Sequence, residues 1–165
     1  MTAKTHELRH VGSDFLTAAS VHPRASRSMP CTPEALFSIL VDARTWTRWT
    51  GATQAHYSTP GPHGVGSRRI VNIRNQSLEE EFIIWEPGRR LTFSVWASTL
   101  PVRAMVEDFT INPVSDSDCL LTWTTALEGK PRALSRSLGL IAYSEENRSL
   151  ERLSRYATRH AAEYV

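Results

Sequence analysis

At 165 residues the chain has the length of one domain, enough to bury roughly 70% of the surface its unfolded form exposes. Hydrophobic residues at 41%, charged residues at 22% and a net charge of +2 exclude disordered, collagen-like and coiled-coil classes. The basic residues are all Arg except Lys4 and Lys130 and are scattered over the whole length, so no stripe could neutralise a phosphate backbone and nucleic acid is not an expected partner.

Residues 1–12 are polar and unpatterned and read as a poorly ordered tail ahead of a single domain over 13–165. Met1 to Glu7 contains no apolar segment, and runs such as Phe82-Ile83-Ile84-Trp85 fall far short of the ~20 apolar residues that span a membrane. No transmembrane segment is expected. Cys31 and Cys119 are too few for a disulfide framework, which fits a reduced, cytoplasmic protein.

Phe15 to His22 reads as a first strand ended by Pro23. Thr32-Pro33-Glu34 starts a helix: Thr32 caps orphan amides, Pro33 suits the first helical position, and Glu34 favours the positive end of the dipole. That helix runs Pro33 to Val41, and Asp42 caps a second short one, Ala43 to Trp49, carrying Trp46 and Trp49. The texture then changes to short runs of β-formers between turn residues, the pattern of an antiparallel meander. Its six strands are about Ala52–Ser58, Ser67–Arg74, Leu78–Glu86, Leu91–Ser98, Val102–Asn112 and Cys119–Leu127, with Asn75-Gln76 and Pro87-Gly88 as tight turns. After Lys130-Pro131 the period becomes helical to about Ala162, with Leu134, Leu138, Ile141, Leu150, Leu153 and Tyr156 on or near one stripe. Ser144-Glu145-Glu146-Asn147 interrupts that stripe.

This order resembles the SRPBCC superfamily of START-like, helix-grip proteins from about Phe15 to Ala162, and within it the polyketide cyclase/dehydrase and lipid-transport group. The matching stretches are Thr32 to Phe37, Asp42 to Trp49, Gly64-Val65-Gly66-Ser67-Arg68, Trp85-Glu86-Pro87-Gly88-Arg89-Arg90-Leu91 and Leu150-Glu151-Arg152-Leu153. The resemblance implies an α+β fold in which a seven-stranded curved antiparallel sheet wraps a long C-terminal helix. It implies an apolar or polycyclic ligand, such as a lipid, polyketide or quinone, held between sheet and helix. The alternatives it leaves open are a polyketide cyclase/dehydratase-type enzyme and a protein-interaction or ligand-delivery module. Fold analogy does not choose among these chemistries.

Strand alternation defines the cavity candidates. Phe93 and Val95 share a face with Leu91, as do Met105 and Phe109 with Ile111, and Leu121 and Trp123 with Leu127. Carried back through the turns, the same parity brings in Phe82 and Ile84, then Val71 and Ile73. Trp46 and Trp49 would wall one end, and Leu138 and Ile141 would face the sheet from the long helix. The polar candidates are Arg69, Glu80, Arg103, Glu107 and Glu145. In the expected register Glu80 faces Ala97, which faces Arg103, so a carboxylate between Arg69 and Arg103 is predicted.

His6-Glu7-Leu8-Arg9-His10 matches the zinc-binding pattern H-E-x-x-H, yet it precedes any core, and no metal is expected there. His22, His56, His63 and His160 are isolated. Gly-x-Ser-x-Gly is absent, Cys31 and Cys119 read as small apolar residues, and Gly61, Gly64 and Gly66 read as a hairpin at the cavity mouth. No catalytic residue is identifiable and no cofactor is implied. The expected partner is an apolar small molecule, with the chain a monomer or homodimer.

Overall fold

The computed structural model describes residues 4–164. Its elements in chain order are β1 (His6–Glu7), α1 (Phe15–Ala18), β2 (Arg24–Met29), α2 (Pro33–Val41), α3 (Trp46–Trp49), β3 (Gln54–Tyr57), β4 (Arg68–Ile73), β5 (Gln76–Glu86), β6 (Arg90–Ser98), β7 (Val102–Pro113), β8 (Cys119–Gly129) and α4 (Ser135–His160). Strands β2 to β8 form a sheet in the order β2-β8-β7-β6-β5-β4-β3, antiparallel at every pairing. The seven-stranded expectation holds, with β1 as a short addition against β6. Its concave face carries the core and packs on α2, α3 and α4.

The helix starts form as their residues dictate. Thr32 Oγ1 accepts from the Ala35 amide at 3.2 Å, and Asp42 Oδ1 accepts from the Arg44 amide at 3.0 Å. A 3-10 turn, Ala43–Thr45, leads from Asp42 into α3. Helix α4 approaches the sheet closely at Gly139, where an added Cβ would lie 2.4 Å from Val21 Cγ1.

The N-terminal expectations need correction. Phe15 to His22 is not a strand: Phe15–Ala18 is a helical turn whose Phe15 packs with Ala104, Val106 and Ala126 on the convex face, where small side chains leave room for it. The first long strand starts after Pro23, at Arg24, and pairs with β8. Nor are residues 4–12 detached from the core. The Leu8 amide donates to Trp96 O and the Arg9 amide to Arg103 O, each at 2.8 Å, and the Leu8 side chain is buried in the main core. The described β6–β7 pairing ends at Ser94 with Val106, and beyond it β1 fills the split between the diverging strands. Leu8 anchors it in the main core, and Val11 packs beside Phe15 on the convex face. His6 accordingly lies in extended chain with Nε2 3.1 Å from Val102 O, and the helical geometry that H-E-x-x-H requires is not formed.

Three irregularities decide which side chains face inward. The β4–β5 turn is Arg74-Asn75, one residue earlier than expected, with Arg74 at φ 53°, so Ile73 pairs with Gln76 and Arg69 lies directly opposite Glu80. A bulge at Trp96 sets Glu80 opposite Val95 in place of Ala97. A second bulge, at Ile83, reverses the parity after Phe82, so Trp85 takes the concave position assigned to Ile84, and Ile84 pairs with Thr92.

A candidate ligand-binding interior

The concave face brings together most of the sequence-predicted side chains. Val71, Phe82, Phe93, Val95, Met105, Phe109, Leu121 and Trp123 are buried there with Trp46 and Trp49, while Ile73 and Leu138 are partly buried against them. The aromatic rings form a continuous cluster. Phe93 lies 5.6 Å from Phe82 and 5.9 Å from Phe109; Phe109 lies 4.7 Å from Trp123; and Trp46 meets Phe93 and Phe109 edge-on, each at 6.1 Å. The pocket expected between Phe82, Phe93, Phe109 and Trp123 is therefore filled at this end, by Trp46 and by the Arg69 guanidinium stacked 3.7 Å over it.

Arg69 is held from several directions. Its Nη2 and Nε lie 2.7 and 2.8 Å from Glu80 Oε2, Nη1 points to Leu40 O at 3.4 Å, and Phe82 and Phe93 flank it at 5.0 and 5.1 Å. Burial raises the Glu80 carboxyl, with Arg69 opposing. The expected third member is absent from this cluster. Arg103 sits in a bulge between Val102 and Ala104 that turns it to the opposite face, where it lies 3.5 Å from Glu128 beside Arg9 and Arg132. Glu145 is likewise corrected: it is exposed and paired with Arg148 at 3.0 Å. Ile141 is 61% exposed, on the outer face of α4.

The residue that replaces Glu145 inside is its neighbour Glu146. It belongs to the stripe Glu146, Leu150, Leu153, Ala157, whose spacing of 4, 3 and 4 follows one helix face, and that periodicity is the signal that could have found it. Both Glu146 carboxyl oxygens are buried and neither makes a hydrogen bond of ordinary geometry, although the Thr125 hydroxyl is close enough to act on the carboxyl. Burial pushes this carboxyl up to about 8, the Thr125 hydroxyl opposing. Opposite it, Glu107 pairs with Thr125 in the β7–β8 ladder, and Trp123 Nε1 donates to Glu107 Oε2 at 3.0 Å. Burial lifts Glu107 well above the usual carboxylate range, and the negative charges of Glu80 and Glu146 add to the effect.

Some exposure remains next to this polar group. Met105, Glu107 and Trp123 retain 7%, 6% and 8% exposure, whereas Phe93, Phe109 and Leu121 on the same face retain none. This part of the concave face is thus slightly less enclosed than the aromatic cluster beside it. Two surface grooves lie elsewhere, one between Thr32-Pro33-Glu34 and Asn112-Pro113, the other among Arg48, Arg152, Arg155 and Arg159. At the sheet edge, His63 stacks on Tyr57 at 3.6 Å, closing the glycine-containing loop over β3. Among the described residues no group of three metal-ligating side chains converges, and no helix is long and apolar enough to cross a membrane.

A curved antiparallel sheet closed by a C-terminal helix, with an aromatic and carboxyl-bearing interior, is the START-like helix-grip arrangement. Residues 20–158 match the family model described as polyketide cyclase/dehydrase and lipid transport, and the chain belongs to that family. An uncharacterized protein of Mycobacterium tuberculosis is 39% identical over 119 residues, covering 70% of this chain and 71% of that one. A START superfamily protein from Mycobacterium smegmatis superposes with a TM-score of 0.75 at 11% identity over 85% of this chain and 99% of that one. The Zhui aromatase/cyclase from Streptomyces sp. R1128 superposes with a TM-score of 0.69 at 11% identity, over 84% and 94%. These two likenesses carry the fold alone.

Proposed function

We propose that this protein binds an apolar small molecule between the concave sheet face and α4, in the space bounded by Met105, Glu107, Trp123 and Glu146. The observation that carries this reading is the coincidence of residual exposure with unpartnered polar atoms. Trp123, which keeps some surface, donates to Glu107, and Glu107 feels the charge of buried Glu146, whose oxygens make no hydrogen bond. A buried polar group without a hydrogen bond costs stability, and a concave apolar site with a few convergent polar groups is the form small-molecule sites take. The family description agrees with it. Organic extraction of purified protein followed by mass spectrometry tests the reading: a stoichiometric apolar compound supports it, and an empty extract with no uptake of any apolar probe removes it.

A cyclase-type activity is a second reading, favoured by Glu146. A carboxyl raised to about 8 is suited to proton transfer near neutral pH, and Glu107 lies close enough to feel its charge. Turnover of aromatic polyketide mimics, lost on Glu146→Gln, separates the enzyme from a carrier.

A further inference from the structure

We infer that the molecule taken up by this interior carries a neutral hydrogen-bonding group, a hydroxyl or ketone on an apolar scaffold, and that lipids bearing a carboxylate or phosphate are rejected. The inference rests on the interior being the binding site and adds the chemistry of its occupant.

The buried charged side chains among the described residues are Arg69, Glu80, Glu107, Asp108 and Glu146. Asp108 points to the convex face, where Arg90, Thr92 and Thr110 satisfy it. That leaves one cation and three carboxyls inside. The cation is out of reach: Nε donates to Glu80 Oε2, Nη2 makes no hydrogen bond but lies 2.7 Å from the same oxygen, and the whole group is fully buried with its face covered by Trp46. An incoming anion would thus meet no accessible guanidinium or ammonium and would sit beside two carboxyls. An unpaired charge is the costliest group to bury.

A neutral polar group finds what an anion does not. Glu146 offers both oxygens, and Glu107 offers Oε1, because Trp123 occupies Oε2 alone. A protonated carboxyl has one O–H to give and a carbonyl oxygen to accept with. A ligand hydroxyl can therefore donate to one carboxyl and accept from the other, and a ketone can accept. Met105, Trp123 and Leu150 supply the apolar walls.

The test uses three probes on one scaffold, naphthalene, 2-naphthol and 2-naphthoate, titrated into the full-length protein at pH 6.5 with calorimetric detection. The expected result is 2-naphthol binding about tenfold more tightly than naphthalene and 2-naphthoate at least ~100-fold more weakly than 2-naphthol. In Glu146→Ala, shown to be folded by circular dichroism and a cooperative melt, the advantage of 2-naphthol over naphthalene should fall to about threefold or less, with only Glu107 left to bond the hydroxyl. Glu146→Gln should keep most of the advantage, since its amide both donates and accepts. Naphthoate binding as tightly as naphthol, or an undiminished naphthol advantage in a folded Glu146→Ala, overturns the inference and leaves the interior standing as an apolar site. If neither naphthalene nor naphthol binds, the interior reading falls and takes the inference with it.

Discussion

Arg69 and Glu80 face each other directly across β4 and β5, and one carboxylate oxygen takes two guanidinium nitrogens at 2.7 and 2.8 Å in a fully buried setting. Removing one partner of such a pair strands a charge, whereas replacing both with apolar groups removes two desolvation costs at once. Arg69→Met should destabilise the fold by about 3–5 kcal/mol, and Arg69→Met/Glu80→Leu should recover most of that loss. Urea denaturation of the two variants checks it. A double variant no more stable than the single would show that the guanidinium's stacking on Trp46, more than the ion pair, sets its contribution.

Glu146 gives a pH dependence of opposite sign to that of an ordinary paired carboxylate. Its pKa is pushed up to about 8 in the folded chain from an ordinary value of 4.5, so between these pH values the folded chain holds a proton that the unfolded chain has lost. Stability therefore declines as pH rises through that window and levels off above it. A tenfold change in a proton-binding constant corresponds to about 1.4 kcal/mol, so the effect has an upper limit of about 5 kcal/mol. Glu146→Gln should flatten this decline, matching the parent near pH 4.5 and exceeding it at about pH 8.5, as read by thermal melts across pH.

The packing of the aromatic cluster separates two otherwise similar truncations. Phe93 is fully enclosed by Trp46, Phe82 and Phe109, so Phe93→Ala should cost about 5 kcal/mol, near the upper limit for a buried aromatic. Trp123 keeps some surface, so Trp123→Ala should cost only about 3 kcal/mol, the low end for a buried aromatic. Equal losses on chemical denaturation would place both residues in uniformly filled core.

Gly139 tests the seating of α4. Alanine is favoured over glycine inside a helix by about 1 kcal/mol, yet a Cβ here would meet Val21 Cγ1 at 2.4 Å. Gly139→Ala should therefore destabilise by about 1–2 kcal/mol despite its better propensity, and Val21→Ala in the same chain should restore part of the loss.

Much of this fold can be read from local chemistry, and the departures have local causes. The six later strands, the Thr32-Pro33 helix start and the inward positions of Arg69, Glu80 and Glu107 follow from alternation and turn residues. Ile84 and Arg103 escape the expected parity because a bulge adds one residue and reverses every side chain beyond it, and neither the Ile83 nor the Arg103 bulge is marked by glycine or proline. Glu145 and Glu146 differ by about 100° of helix rotation, and the choice turns on whether Ile141 or Leu150 anchors the stripe. Ile141 is solvent-facing, so the true phase is that of Leu150 and Leu153. Phe15 departs because a four-residue helical turn is too short to show a period, and its burial against Ala104 and Ala126 depends on residues about 90 and 110 positions away.

The pairing of β1 with β6 joins residues separated by about 90 positions, and it consists of few backbone bonds fastened by one buried leucine. Closing so long a loop for so small a contact area is entropically unrewarding until the rest of the sheet exists. β1 is therefore expected to dock last during folding and to peel away first. Native-state hydrogen exchange should find the Leu8 and Arg9 amides opening far more often than those of β7 and β8. Each such opening would withdraw Leu8 from the split between β6 and β7 and leave the backbone groups of Trp96 and Arg103 that it covers without partners.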